Sequence, residues 1–234
     1  MRTLRRIRLF VLVLVLATTS RCVADWPCRG DTALAVSTNA GNQWNVSLST
    51  DGVSGTYLAW QDRRSGTADK IYLQHITGTG GAAWLDGGIP LSQTSGFQYY
   101  PQMIADGSGG FFIVWQDNRS GVDYDIYAQH ISSAGSSLWD ATGNLVCGAP
   151  GHQYTPRLVS DAHDGIIVTW QDRRAGGFDI YAQRMDANGA AQWQTNGVVI
   201  CNASSDQIEP KLAVDGTGGS VITWLDYRSG SGYT

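Results

Sequence analysis

The sequence contains almost no glutamate and few lysines; Glu209 is the one glutamate in 234 residues. Glycine and tryptophan are abundant instead, with 29 and 9 residues. Glutamate and lysine favour helices and glycine disfavours them, so this composition argues against a mostly helical protein. It indicates short β-strands joined by many tight turns.

Cysteine is also scarce, and no Cys–His spacing typical of a metal site occurs. Cys147 and Cys201 occupy equivalent places in a repeat described below, which predicts two buried small apolar residues. Cys28 is the third cysteine after the N-terminal segment, and the disulfide state of the three stays open. We predict no metal and no cofactor.

The N-terminal segment has the three parts of a secretory signal peptide. Four arginines precede an apolar run over residues 9–17, and small residues follow up to Ala24. The run is too short to span a bilayer, so residues 1–24 are predicted to be a cleaved signal and the protein to be secreted or at the cell surface. The alternatives are an uncleaved tether and a lipoprotein on Cys22, which Arg21 disfavours.

The chain beyond the predicted signal lacks excess positive charge. With 11 basic and 20 acidic residues it has a formal net charge of −9. Nucleic acids and anionic membranes both require a basic face, so neither is predicted as a partner.

One motif recurs along the chain, and its fullest form is Trp115-Gln-Asp-Asn-Arg-Ser-Gly121 followed by Asp125-Ile-Tyr-Ala-Gln129. Its copies begin at Trp60, Trp115, Trp170 and Trp224, at intervals of 55, 55 and 54 residues. A fixed period of this size is typical of a stacked-repeat architecture.

The sequence of each repeat predicts four short strands. In the second copy these are residues 101–106, 111–115, 125–131 and 144–147, and a glycine-rich hairpin turn separates the first two. The apolar run at 111–115 indicates a strand buried on both faces. Immunoglobulin-like units need about 100 residues, so the period excludes them. The sequence predicts an all-β fold, a β-propeller of four-stranded antiparallel blades of about 55 residues each.

The predicted propeller is incomplete, because closed propellers have about four to eight blades. In chain order we expect the signal peptide at 1–24, a partial blade to about residue 42, blades at about 43–97, 98–152 and 153–206, and a partial blade at 207–234. Residues 33–37 align with a fourth strand. We expect a piece of a longer protein; the alternative is a strained four-blade ring closed by this N-terminal strand.

The repeated Trp-Gln-Asp-Arg-Arg-Ser-Gly and Asp-Ile-Tyr-Ala-Gln motifs resemble the repeats of large secreted bacterial propeller proteins, many with a C-terminal sorting domain. The likeness covers about residues 33–234. A looser likeness is to TolB-type propeller repeats. The resemblance implies export and a propeller and carries over no catalytic residues.

Aspartate and arginine recur two residues apart in every copy. One interpretation is a structural ion pair that fixes the turn; the other is a ring of charged pairs on one rim that binds a polar ligand. The candidate ligand-binding residues are Asp62, Arg64, Asp117, Arg119, Asp172, Arg174, Asp226 and Arg228. The repeated tyrosines and tryptophans are predicted to pack between blades or to cover blade edges.

A catalytic site is not evident. Sialidase-like propellers need an arginine cluster and a tyrosine–glutamate pair, and their Asp-box spacing is absent. Glu209 alone could serve as the glutamate, at a position where Tyr100 and Thr155 stand in neighbouring copies.

The sequence therefore predicts a secreted or cell-surface propeller that binds or scaffolds a protein or glycan without catalysis. The alternative is a fragment of an extracellular glycan-active hydrolase resembling sialidases. A third hypothesis is a purely structural segment of a large surface protein.

Overall fold

The computed structural model describes residues 34–230. The predicted signal peptide, Cys28 and residues 231–234 of the last predicted unit lie outside this range. Within it the only regular elements are β-strands, and no helix there is long and apolar enough to cross a membrane.

The strands form three four-stranded antiparallel sheets and one two-stranded pair. The first sheet contains β1 (Gln43–Thr50), β2 (Thr56–Asp62), β3 (Lys70–Ile76) and β4 (Ile89–Pro90). The second contains β5 (Gln98–Ala105), β6 (Phe111–Asp117), β7 (Asp125–Ile131) and β8 (Asn144–Cys147). The third contains β9 (Gln153–Ser160), β10 (Ile166–Asp172), β11 (Asp179–Met185) and β12 (Val198–Cys201). The pair is β13 (Gln207–Val214) with β14 (Ser220–Asp226).

Consecutive strands are neighbours in every sheet, and the hydrophobic cores lie between sheets. One core joins Tyr57 and Leu73 of the first sheet to Phe111 and Trp115 of the second. A second core joins the second sheet to the third. Each sheet buries its apolar faces against its neighbours, as propeller blades do. The predicted all-β propeller with four-stranded antiparallel blades is confirmed, with three full blades and two strands of a fourth among the described residues.

The first strands of successive blades lie side by side: β1 contacts β5, β5 contacts β9 and β9 contacts β13. They therefore line the axis around which the blades are arranged. Each one pairs within its own sheet on one side only. Proline lacks a backbone N–H, and an edge strand tolerates it because its free side needs no donor, which explains Pro101 and Pro156 in β5 and β9.

Two local predictions were wrong. The first strand of the second blade begins at Gln98 rather than Pro101, because the pairing continues through a bulge before the proline. The strand predicted at residues 33–37 is not formed in its described part, residues 34–37. Leu34 and Val36 instead pack against a cluster that contains Leu58 and Trp60.

Candidate functional site

The repeated Asp–Arg pairs are built into the turn after the second strand. The buried Asp117 carboxylate accepts hydrogen bonds from Trp115 Nε1 (2.8 Å), the Arg119 backbone N–H (2.9 Å) and Arg119 Nη2 (2.7 Å). The Arg119 guanidinium lies 3.6 Å from the centre of the Tyr127 ring and also donates to the Thr142 carbonyl. These contacts tie the second strand to the third strand and to the connection beyond it.

The other copies repeat this arrangement. The pairs are Asp62 with Arg64, Asp172 with Arg174 and Asp226 with Arg228. Burial alone would raise the pKa of Asp62, but hydrogen bonds from Arg64 and Trp60 outweigh it and lower the pKa below its ordinary value. The carboxylates already accept hydrogen bonds from donors of their own blade. Ligand binding by the pairs stays a prediction.

A polar cleft of about 450 Å³ lies elsewhere, at the axial ends of the first three blades. We call it the axial cleft. It is lined by Trp44, Asn45, Gln61, Tyr99, Tyr100, Gln116, Tyr124, Tyr154, Thr155 and Gln171. None of the predicted Asp–Arg pairs is among these residues.

One residue in each first strand has a left-handed backbone. The φ angles are +51° at Asn45, +53° at Tyr100, +50° at Thr155 and +53° at Glu209. Each lies where the pairing register with the second strand shifts, in a β-bulge. Positive φ strains any residue with a Cβ, most of all a β-branched one, and such strain concentrates at functional sites.

The glutamine of the repeated Trp-Gln-Asp motif holds this backbone in the next blade. Gln61 Oε1 accepts the Tyr100 N–H (3.0 Å), and Gln116 Oε1 accepts the Thr155 N–H (2.9 Å). Gln171 Oε1 accepts the Glu209 N–H (3.0 Å). The strained backbone is thus the same in each blade, while the side chain that it presents differs.

Two buried polar atoms on residues that line the axial cleft have no hydrogen-bond partner among the described residues. They are Nε2 of Gln61 and the Thr155 hydroxyl, Oγ1. An unpaired buried polar group costs about 1–3 kcal/mol. Both atoms are shielded from solvent, so a molecule in the cleft would reach them only if neighbouring side chains moved.

Charged and aromatic side chains lie in and near the axial cleft. Glu209 is the only acidic side chain on the described first strands, and it is exposed. Burial lowers the pKa of Arg157, on the adjacent strand, and the negative charge of Glu209 opposes this effect. Burial, with the nearby Asp69 carboxylate, raises the pKa of the Tyr99 hydroxyl.

Sequence reasoning noted the variability at Glu209, Tyr100 and Thr155 but missed the cleft. Its walls combine repeat positions that are alike with positions that differ. Trp44, Tyr99 and Tyr154 are equivalent and all aromatic, whereas Asn45, Tyr100 and Thr155 are equivalent and all different. The aromatic residue that follows the first glutamine of the first strand in three copies is the sequence signal that could have found it.

Replacing Thr155 with glycine is expected to stabilise the protein by about 1–2 kcal/mol. Relief of about 1–3 kcal/mol of backbone strain, with removal of the unpaired hydroxyl, outweighs the roughly 1 kcal/mol of added chain entropy. Urea denaturation measures the change. Thr155→Ala is the matched control, because it removes the hydroxyl and keeps the strain; a glycine variant less stable than the alanine variant would contradict the role of φ.

No protein-family model matches the sequence, and no curated protein matches it. Solved structures do match. A thermostable family-43 glycoside hydrolase has a TM-score of 0.54 at 14% identity, over 82% of this chain and 68% of that one. At this identity the likeness is one of fold.

Two other solved structures match less well. An endo-arabinase from Bacteroides thetaiotaomicron has a TM-score of 0.48 at 14% identity, over 74% of this chain and 67% of that one. An α-L-arabinofuranosidase from Fusarium graminearum, in complex with an iminosugar inhibitor, has a TM-score of 0.49 at 11% identity, over 77% of this chain and 55% of that one.

Proposed function

We propose that this chain is part of a glycan-active propeller that binds a sugar chain in the axial cleft. The observation that carries the proposal is the set of aromatic rings along one cleft, beside two lining residues, Gln61 and Thr155, that each hold an unpartnered polar atom. A sugar presents acceptor oxygens at its rim and C–H groups on its ring faces. The cleft offers donors for the first and aromatic faces for the second.

The hydrolase alternative explains these features better than a non-catalytic scaffold does. The fold is shared with a family-43 glycoside hydrolase, although fold alone does not determine activity. Glu209 has a strained backbone whose N–H donates to the cleft residue Gln171, and Arg157 lies on the neighbouring strand. We assign Glu209 as the general acid.

Glycoside hydrolysis ordinarily needs two carboxyl groups that flank the scissile bond. The described first strands supply one, Glu209. The proposed reaction therefore requires a second carboxylate from elsewhere in the protein. Export, and kinship with secreted bacterial repeat proteins, remain proposals that rest on the sequence motifs.

The test is a polysaccharide panel assayed for binding by affinity electrophoresis and for hydrolysis by release of reducing ends. Glu209→Gln is expected to reduce hydrolysis about 10²–10⁴-fold and to preserve binding, because the amide keeps the shape and cannot donate the proton. Asp86→Asn, at an exposed carboxylate in a connecting loop, is the control. Binding without hydrolysis by the unmodified protein would favour the scaffold hypothesis, and absence of any binding would reject a glycan function.

A further inference from the structure

A row of aromatic rings crosses the second and third blades next to the axial cleft. We call it the aromatic strip, and it consists of Phe97, Tyr99, Tyr124, Tyr154 and Phe178. Successive ring centres are 5.8, 5.6, 5.8 and 6.0 Å apart. All five side chains are half-buried, so each retains an accessible surface.

The strip is continuous with the cleft. Its three middle members, Tyr99, Tyr124 and Tyr154, also line the cleft wall. Phe97 and Phe178 extend it beyond the cleft at the two ends. Polar contacts hold the Phe178 end of the strip in place. The Phe178 backbone N–H donates to Asp206 Oδ1 (2.9 Å), and the Arg173 guanidinium lies 5.3 Å from the Phe178 ring.

The ring positions of the strip are shared by the second and third blades, because Tyr99 corresponds to Tyr154 and Tyr124 to Phe178. Tyr124 and Phe178 correspond to Asp69 in the first blade, and Phe97 corresponds to His152 in the next copy and to Asp206 after that. A residue that builds the blade recurs in every copy, as Asp117 and Arg119 do. The strip positions carry rings in the second and third blades but not throughout the first, where Asn42 and Asp69 stand at two of them, so they are not part of the framework common to all blades.

We infer that the strip binds a linear, uncharged polysaccharide, with successive sugar units on successive rings. This inference rests on the proposed function and specifies its substrate class. The ring spacing of 5.6–6.0 Å is that of aromatic rings in contact, and it is also close to the length of one sugar unit in an extended chain. Adjacent ring planes differ by 6°, 52°, 41° and 61°, so the bound chain turns about its axis as it crosses the blades.

The charges beside the strip favour an uncharged chain. Asp69 is bound by Arg63 through two hydrogen bonds of 2.8 and 2.7 Å, which neutralises both groups. Asp123 lies in the loop that carries Tyr124 and accepts the Gly151 backbone N–H, and Asp206, which precedes β13, accepts the Phe178 backbone N–H. An acidic polysaccharide would meet these carboxylates without an excess of positive charge to offset them.

The test is calorimetric binding of linear xylo-, manno-, gluco- and arabino-oligosaccharides, each from disaccharide to hexasaccharide. Affinity for at least one series is expected to rise with length. The double variant Phe97→Ala, Phe178→Ala is expected to bind the hexasaccharide about tenfold more weakly and the disaccharide unchanged, since only the longer ligand reaches both end rings. Trp193→Ala, at a partly exposed tryptophan away from the strip, is the matched control and is expected to change neither affinity.

The outcomes separate the two proposals. If no oligosaccharide binds, the glycan function fails and the strip inference fails with it. If the disaccharide binds and affinity does not depend on length, or if the double variant keeps the full hexasaccharide affinity, the strip inference alone is overturned. Should the double variant unfold, Phe97→Leu with Phe178→Leu keeps the apolar volume, removes the aromatic faces and is expected to show the same selective loss.

Discussion

Replacing Asp117 with alanine is expected to destabilise the protein by about 3–5 kcal/mol. The carboxylate is fully buried and holds the Trp115 indole, the Arg119 backbone and the Arg119 guanidinium together. Its removal leaves a largely buried guanidinium, with 17% of its side chain exposed, without its counter-charge. The Trp115 N–H loses its acceptor in the core as well. Chemical denaturation monitored by tryptophan fluorescence measures the loss.

Two further variants test whether the loss of stability comes from leaving a buried arginine without its counter-charge. Asp226→Ala removes the same contacts in the last pair of strands, where 52% of the Arg228 side chain is exposed. We expect a clearly smaller loss there, because solvent screens the unpaired arginine. Asp117→Ala combined with Arg119→Met should recover part of the stability, since no unpaired charge remains. Equal losses at Asp117 and Asp226, with no recovery in the double variant, would show that the pair does not act through buried charge.

The contrast between these pairs and the cleft explains what the sequence could predict. Trp115, Asp117 and Arg119 interact within one repeat, and the repetition of the motif makes their joint structural role visible. The strands at residues 125–131 and 144–147 have the predicted bounds because apolar runs and turn residues mark both ends.

The cleft could not be predicted in the same way. Tyr124 and Tyr154 are thirty positions apart in the sequence and meet only because one blade packs against the next, with ring centres 5.8 Å apart. The left-handed backbone at Tyr100 and Thr155 carries no glycine to signal it. It is imposed by Gln61 and Gln116 of the preceding blades, so the strain is a property of the assembled sheets.

The glycine before the fourth strand has a structural role, because it lies against the edge of each buried tryptophan. Gly143 has a φ of +87°, and a Cβ added there would lie 2.4 Å from Trp115 Cη2. Gly88 and Gly197 approach Trp60 and Trp170 in the same way, each at 2.5 Å. The repeated glycine thus allows the connection before the fourth strand to cross directly over the tryptophan ring.

Gly143→Ala is therefore expected to destabilise the protein by about 3 kcal/mol, the sum of a left-handed backbone penalty and overpacking against a rigid ring. Gly121→Ala is the matched control: its φ is +75°, and an added Cβ there meets nothing within 4 Å. It should lose only the backbone part, about 1–2 kcal/mol. Thermal and urea unfolding of the two variants measure the difference.

A second substitution tests whether the clash with the tryptophan is the cause. Trp115→Phe removes the outer ring atoms that the new Cβ would meet, so Gly143→Ala should be less harmful in that background than in the unmodified protein. The backbone penalty is the same in both backgrounds and cancels from the comparison. If Gly143→Ala and Gly121→Ala are equally destabilising, or if the tryptophan substitution gives no relief, the close approach is not what requires glycine. The repeated glycine would then have to be explained by its left-handed backbone alone.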